Sequence, residues 1–327
     1  MSKGCVYLVG AGPGDPGLIT VRGKELLGLA DIVIYDYLAS PRLLAHAKPD
    51  AELIYVGKQA GDHTLTQDKI NDLLVERATQ GAVIVRLKGG DPYVFGRGGE
   101  EALDLVEAGI NFEVVPGITS GIAAPAYAGI PVTHRKLASN LGLITGHETP
   151  DKDATDLDYE ALARWRGTLG FYRGVRNLAP ICENLIAGGM DPSTPAAIIR
   201  WGATSRQRVL TATVGDLPAR AVEADFKPPS IILIGKVVSL REKLNWFEKR
   251  PLFGRRIVVT RARSQASKLT SKLEALGAEA VEMPAIRIAE PANTAPLDAA
   301  AADIARFDWL LFASANAVDG FFSALHR

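Results

Sequence analysis

Three glycine-rich segments hold most of the residues in this sequence whose types and spacing could do chemistry. The first, residues 6–17, reads VYLVGAGPGDPG. Its glycines at 10, 12, 14 and 17 permit positive φ and a close approach of backbone to a ligand. A dinucleotide-binding turn is the obvious comparison, because Asp36 follows at about the distance of a ribose-binding acid. Pro13 and Pro16, however, stand where the helix of that fingerprint would begin. Proline biases its predecessor away from helix, so a diphosphate-cradling helix N-terminus is poorly supplied here. A tight turn and nothing more is the bland alternative.

The second segment, residues 86–101, reads RLKGGDPYVFGRGGEE. It follows a strand pattern, which places it at the carboxyl edge of a sheet, where open α/β folds bind ligands. A solvated loop before a helix explains Glu100 and Glu101, since acids favour a helix N-terminus. It does not explain the five glycines between residues 89 and 101, and a functional role is the better account. The third segment, residues 115–135, is rich in small residues that pack closely against a ligand or another helix. Thr119 and Ser120 suit either an N-cap or contacts to a ligand's polar groups. His134, ending an apolar stretch beside Arg135, reads as a structural hydrogen-bonder rather than a catalyst.

The elements that must position these segments follow from hydrophobic periodicity. Strands are predicted at residues 4–9, 31–35, 51–56, 82–87 (read as an apolar run) and 112–115. Helices are predicted at 18–29, 66–80, with Thr66 as N-cap, and 98–108. That alternation indicates an α/β layer with a parallel sheet. After about Pro131 the rhythm changes. Strands at 140–145, 167–172, 196–201, 207–213 and 230–234, with helices between, suggest a second α/β lobe with some antiparallel pairing. Residues 248–253 read as a linker. Beyond them come strands at 256–260, 280–283 and 309–313 and helices at 264–276 and 317–325, an α/β pattern short for a self-sufficient unit. The fold class is therefore α/β, with a parallel-sheet lobe over 1–133, a mixed-sheet lobe over 134–247, and a partial third region over 248–327.

Composition narrows the partners. The 327 residues, 47% hydrophobic and 23% charged, suit a globular protein of two or three folding units. Lys plus Arg equal Asp plus Glu at 37 each, so no protein-wide field draws nucleic acid or an anionic membrane. An acidic ligand must be held by local basic residues. Cys5 and Cys182 lie far apart, which fits a reducing, cytoplasmic setting and excludes a disulfide framework or a cysteine-based zinc site. There is no signal-peptide layout, and no apolar run approaches the ~18 residues of a membrane span. No metal site is expected.

Taken together, GGDPYVFGRGGEE (89–101), VVPGITSGIAAPAYAGIPVTHR (114–135) and the first turn resemble the uroporphyrinogen-III C-methyltransferases, within the tetrapyrrole methylases. The resemblance spans residues 6–238. It implies two α/β lobes, a homodimer, and S-adenosylmethionine held between the lobes. It implies methylation of uroporphyrinogen III at two ring carbons, giving precorrin-2 by way of precorrin-1, for sirohaem or corrinoid synthesis. Carried over by motif, Pro13, Gly89, Gly90, Asp91, Val94, Thr119, Ser120 and Gly202 correspond to cofactor contacts. Asp36 corresponds to a proton acceptor and Lys58 to a donor, with Glu100 beside Arg97 the next candidate for proton handling. Arg97, Glu100 and Arg135 resemble residues of the substrate cavity.

The chemistry agrees. The substrate is rich in carboxylates, which arginine's fork suits in a protein of zero net charge. Methyl transfer from a sulfonium is a matter of positioning, and a base must then take a proton from the ring. One departure stands out: in residues 168–175, TLGFYRGV, Arg173 occupies a cofactor-wall position where the family has methionine. Methionine is a soft apolar contact. Arginine adds a charge that would repel a sulfonium, and a substrate carboxylate is its natural partner.

From Pro251 the sequence is similar to the opening of a uroporphyrinogen-III synthase, with Thr260, Arg261 and Ser314 at its polar loop positions, although solvated loop ends explain these equally. Only about a third of such a domain is covered, so no synthase activity is expected of this chain alone. Two further readings differ in substance: a methylase acting on a later corrin intermediate, against which the GRGGEE segment argues, and a non-catalytic methylase-like binding module in which Arg173 abolishes turnover.

Overall fold

The computed structural model describes residues 4–57, 65–146, 155–260, 263–285, 289 and 292–326. It divides into two compact units, one of Met1–Arg256 with Leu273–Glu279, the other of Ile257–Lys272 with Ala280–Arg327. The first unit contains two five-stranded sheets.

The first sheet is built from β1 (Cys5–Gly10), β2 (Ile32–Tyr35), β3 (Glu52–Tyr55), β4 (Val83–Lys88) and β5 (Asn111–Val115), joined by α1 (Val21–Leu27), α2 (Gln67–Thr79) and α3 (Gly98–Glu107). Its order is β3-β2-β4-β1-β5, and every pairing is parallel. Parallel sheets are covered on both faces, and the side-chain alternation shows it. Val6, Leu8, Ile34 and Ile84 pack into one core, and Val9, Val33, Val85 and Leu87 into the other.

Strand β4 departs from the expected apolar run. On the face of Ile84 it carries Arg86 and Lys88, each 3% exposed, because a period of two puts all three side chains on one side. Both cations meet Glu101, which is fully buried in the first turn of α3. Glu101 Oε1 accepts from Lys88 Nζ at 2.8 Å, from Arg86 Nε at 3.2 Å and from Gln67 Nε2 of α2 at 3.1 Å. Taking such ions from water costs several kcal/mol each, and this pairing, with the further bonds of Arg86 to Asp36 and to the carbonyls of Ile34 and Leu87, offsets it.

The second sheet follows α4 (Ser120–Tyr127) and comprises β6 (Leu141–Thr145), β7 (Thr168–Tyr172), β8 (Pro195–Arg200), β9 (Arg208–Thr213) and β10 (Ser230–Ile234). Between them lie α5 (Tyr159–Ala163), α6 (Leu178–Ala187) and α7 (Leu217–Glu223). The order is β6-β7-β10-β8-β9, with only β6 and β7 parallel, so this lobe is mixed as its sequence suggested. After α8 (Arg241–Leu244), Glu248 ties the segment back to the lobe, accepting from Gln207 Nε2 at 2.9 Å and Arg241 Nη2 at 2.6 Å.

Next come β11 (Arg256–Val259), α9 (Arg263–Ala275), β12 (Glu279–Glu282), α10 (Ala295–Ala302) and α11 (Ala315–Leu325), with β11 and β12 forming a two-stranded sheet. The strand expected at 309–313 does not form. Trp309 and Leu311 are 83% and 91% exposed, and no described strand lies beside this stretch to complete its ladder. No helix among the described residues is long and apolar enough to cross a membrane.

Replacing Glu101 by Leu strands two like charges in the core. It is expected to lower unfolding stability by about 3 kcal/mol or more in urea denaturation followed by circular dichroism. Glu100→Leu next to it, half exposed, should cost about 1 kcal/mol or less.

Candidate functional site

The three glycine segments meet at the carboxyl edge of the first sheet, backbone against backbone. Gly12 and Gly90 exchange hydrogen bonds, Gly90 N to Gly12 O at 2.7 Å and Gly12 N to Gly90 O at 3.2 Å. A Cβ on Gly117 would lie 2.2 Å from Gly90 O and 2.7 Å from Gly10 Cα. Part of the demand for glycine is therefore turn-to-turn packing, beside the positive φ and ligand approach that the sequence suggested for the first turn. Gly90 itself has φ +70, and the space above it is open to within 3.8 Å of Ser120 N.

The first turn leads into a 3-10 turn over Pro16–Leu18, and α1 begins only at Val21, capped by the Thr20 hydroxyl at 3.0 Å from Gly23 N. No helix N-terminus follows the glycines directly, in keeping with the two prolines. Asp91 orders the second turn. Its Oδ1 accepts from Tyr93 N at 2.8 Å and Val94 N at 3.2 Å, and its Oδ2 accepts from Gly117 N at 3.0 Å.

Across from these turns stands the second sheet. Tyr172, at the end of β7 and 7% exposed, reaches the start of α4. Its hydroxyl lies 2.7 Å from Thr119 Oγ1 and accepts from Gly121 N at 2.8 Å. Thr119 stands at the N-cap position but makes no side-chain cap; Tyr172 does that work from the other lobe. Burial pushes the Tyr172 phenol upward from its ordinary pKa. The Phe95 ring packs on Tyr172 at 4.8 Å.

Between the lobes lies a cavity of about 530 Å³, a volume typical of small-molecule sites. Pro13, Gly89, Gly90 and Val94 line it from the first lobe, Thr119 and Ser120 from the start of α4, and Arg173 and Gly202 from the second lobe. Asp91 does not line it and acts on the backbone behind. Asp36 lines it, its Oδ1 accepting from Leu38 N at 3.0 Å and its Oδ2 from Arg86 Nη2 at 3.3 Å. Lys58 and Arg261 lie outside the described residues.

Arg97, Glu100 and Arg135 are not among the lining residues. Arg97 and Glu100 bond each other, Nε to Oε1 at 2.9 Å and Nη2 to Oε2 at 2.5 Å, and the guanidinium holds the Glu100 carboxyl below the usual carboxylate range. His134 sits in a turn, its Nδ1 accepting from Lys136 N at 3.3 Å.

Sequence reasoning missed Lys88, Tyr172, Trp201, Arg176 and Arg206, all of which line the cavity. Burial, with Arg86 beside it, draws the Lys88 ammonium below the usual lysine range, while Glu101 opposes the shift. The signal for Lys88 was its place at the carboxyl end of β4, two residues after Arg86. Tyr172 lay inside the TLGFYRGV stretch and carried no signal of its own. Among the described residues no cluster of His, Cys, Asp or Glu could hold a metal ion.

A parallel-sheet lobe and a mixed-sheet lobe enclosing a cleft walled by glycine turns define a two-lobed α/β ligand-binding protein. The profile of Tetrapyrrole (Corrin/Porphyrin) Methylases matches residues 5–218, and the chain belongs to that family. The profile of Uroporphyrinogen-III synthase HemD matches residues 267–327. A uroporphyrinogen-III C-methyltransferase of Bacillus subtilis (strain 168) is 48% identical over 99% of the chain, which covers 66% of that relative. A second protein so named from the same organism is 49% identical over 75% of the chain and 95% of its own length. Among solved structures, a uroporphyrin-III C-methyl transferase from Thermus thermophilus complexed with S-adenyl homocysteine has TM-score 0.62 and 39% identity, covering 72% of this chain and all of that one. The chain spans 54% to 66% of the first three curated relatives.

Gly117→Ala should force the turns apart, costing about 1–3 kcal/mol of stability and weakening any ligand of the cleft. Thermal unfolding with and without that ligand checks it.

Proposed function

We propose that the chain is an S-adenosylmethionine-dependent methyltransferase acting on uroporphyrinogen III, adding methyl groups at two ring carbons to give precorrin-2 through precorrin-1. The observation that carries this reading is the convergence of Pro13, Gly89, Gly90, Val94, Thr119, Ser120 and Gly202 on one cleft in a chain of this family. Asp36 shares that cleft. The reading includes a homodimer, which light scattering in solution checks.

The residues fit a sulfonium donor. Gly90 leaves its backbone uncovered, and a Cβ on Gly202 would meet Ala124 Cβ at 2.3 Å, so the wall there is held at glycine size. Gly89, Gly90 and Thr119 would hold the donor on the first-lobe side, with Gly202 opposite. When bound, the donor supplies an electrophilic methyl carbon. The protein's part is positioning. The Asp36 carboxylate, fixed by Leu38 N and Arg86, takes the proton released from the methylated ring. Lys58 is assigned the complementary donor role by its motif alone.

Transfer of label from S-adenosylmethionine to uroporphyrinogen III is the direct test. Wild type should transfer label, and Asp36→Asn should lower kcat by about 10²–10⁴-fold while still binding S-adenosylhomocysteine. Transfer at the wild-type rate by Asp36→Asn would remove Asp36 from the mechanism. Absence of transfer by wild type would remove the assignment itself.

A further inference from the structure

The cleft is electrically lopsided. Among the described residues, Asp36 is the one carboxylate that lines it, against Lys88 on the first lobe and Arg173, Arg176 and Arg206 on the second. Lys88 is already committed to Glu101. None of the three arginines forms an ion pair with a carboxylate among the described residues; Arg173 bonds a backbone carbonyl and Arg206 lies over an aromatic ring.

Two of them are held in place. Arg173 sits in the left-handed region at φ 56 and donates from Nη2 to Phe95 O across the cleft at 2.9 Å. One donor is thereby used, and the rest of the exposed guanidinium stays available. Arg206 lies over the Trp201 ring at 4.3 Å, a stacking arrangement that orders the fork at low entropic cost. Arg176 follows in the short 3-10 turn Gly174–Asn177.

In a chain of zero net charge, cations gathered on one rim with no carboxylate partner among the described residues are matched to an anion from outside. A sulfonium donor is itself cationic, so it is not the group these arginines attract. The other ligand is a tetrapyrrole edged with carboxylates, which planar guanidinium forks bind in bidentate fashion.

We propose that Arg173, Arg176 and Arg206 form a carboxylate-recognition rim for the acidic periphery of the tetrapyrrole, with Arg173 as its specificity-determining member. The inference rests on the methyltransferase reading and deepens it. It moves Arg173 from the cofactor wall, where its motif position put it, to the substrate side. It also places substrate carboxylates on the second lobe, away from Arg97, whose guanidinium is bonded to Glu100.

Uroporphyrin III, the unreactive oxidised porphyrin, serves as probe in fluorescence titrations of the full chain, with coproporphyrin III as the less carboxylated comparison. Arg173→Met, Arg176→Gln and Arg206→Gln should each weaken uroporphyrin binding about three- to tenfold and reduce its salt dependence. Affinity for S-adenosylhomocysteine should stay within about twofold. Arg173→Lys, keeping charge without the fork, should recover part of the loss and part of the preference for uroporphyrin over coproporphyrin. In turnover, the variants should raise the KM for uroporphyrinogen III more than they lower kcat.

Unchanged uroporphyrin affinity in all three variants overturns the rim, as does a parallel loss of S-adenosylhomocysteine affinity. If wild type binds uroporphyrin through these arginines yet transfers no methyl group, the methyltransferase reading fails and the rim stands. If wild type methylates while the variants bind uroporphyrin as it does, the rim alone fails.

Discussion

The buried carboxylate of Glu101 is the interaction on which the cleft depends. It gathers Lys88 and Arg86 from β4 and Gln67 from α2 onto one oxygen. Lys88 and Glu101 bracket the glycine-rich loop between β4 and α3, so their contact closes that loop at its base. Arg86 carries the order one step further, to the Asp36 carboxylate after β2. A neutral core would be easier to bury, and a carboxylate shared by two cations is tolerated because each charge meets its opposite in a water-poor setting. In exchange, the loops that border the cleft are fixed from behind by Glu101, Arg86 and Gln67, none of which lines it.

The same economy appears between the lobes. Tyr172 belongs to the second sheet but caps α4, whose N-terminal residues Thr119 and Ser120 face the cleft. Asp91 leaves the cleft to its neighbours and accepts three backbone N–H groups from the turns around it. The cleft surface is thus largely glycine, small side chains and aromatic rings, with polar groups working from the layer beneath. Charge that does reach the surface is concentrated on the second lobe, where it faces whatever anion enters.

Much of this was legible in the sequence, for identifiable reasons. A period of two and the regular spacing of turns gave both lobes, including the antiparallel character of the second. Glycines and prolines at fixed offsets marked the three turns, because few other residues tolerate those backbone conformations. What pattern could not convey was partnership. Residues 82–87 read as an apolar run, yet Arg86 within it is buried against an acid that lies fifteen positions on in the chain. Residues 309–313 have the composition of a strand, but a strand needs a neighbour, and composition does not supply one. Arg97 and Glu100 looked like a paired site in their motif, and three positions apart at a helix start they satisfy each other.

The central claim is that the cleft between the two sheets is where a methyl donor and a carboxylate-rich ring are brought together. A crystal structure of the chain with S-adenosylhomocysteine tests it most directly. The account predicts the ligand in this cleft, against the backbone of Gly90 and Gly202 and beside Thr119, with its sulfur open toward Asp36. Density for the ligand at any other place on the chain, or no binding at millimolar concentration, would contradict it.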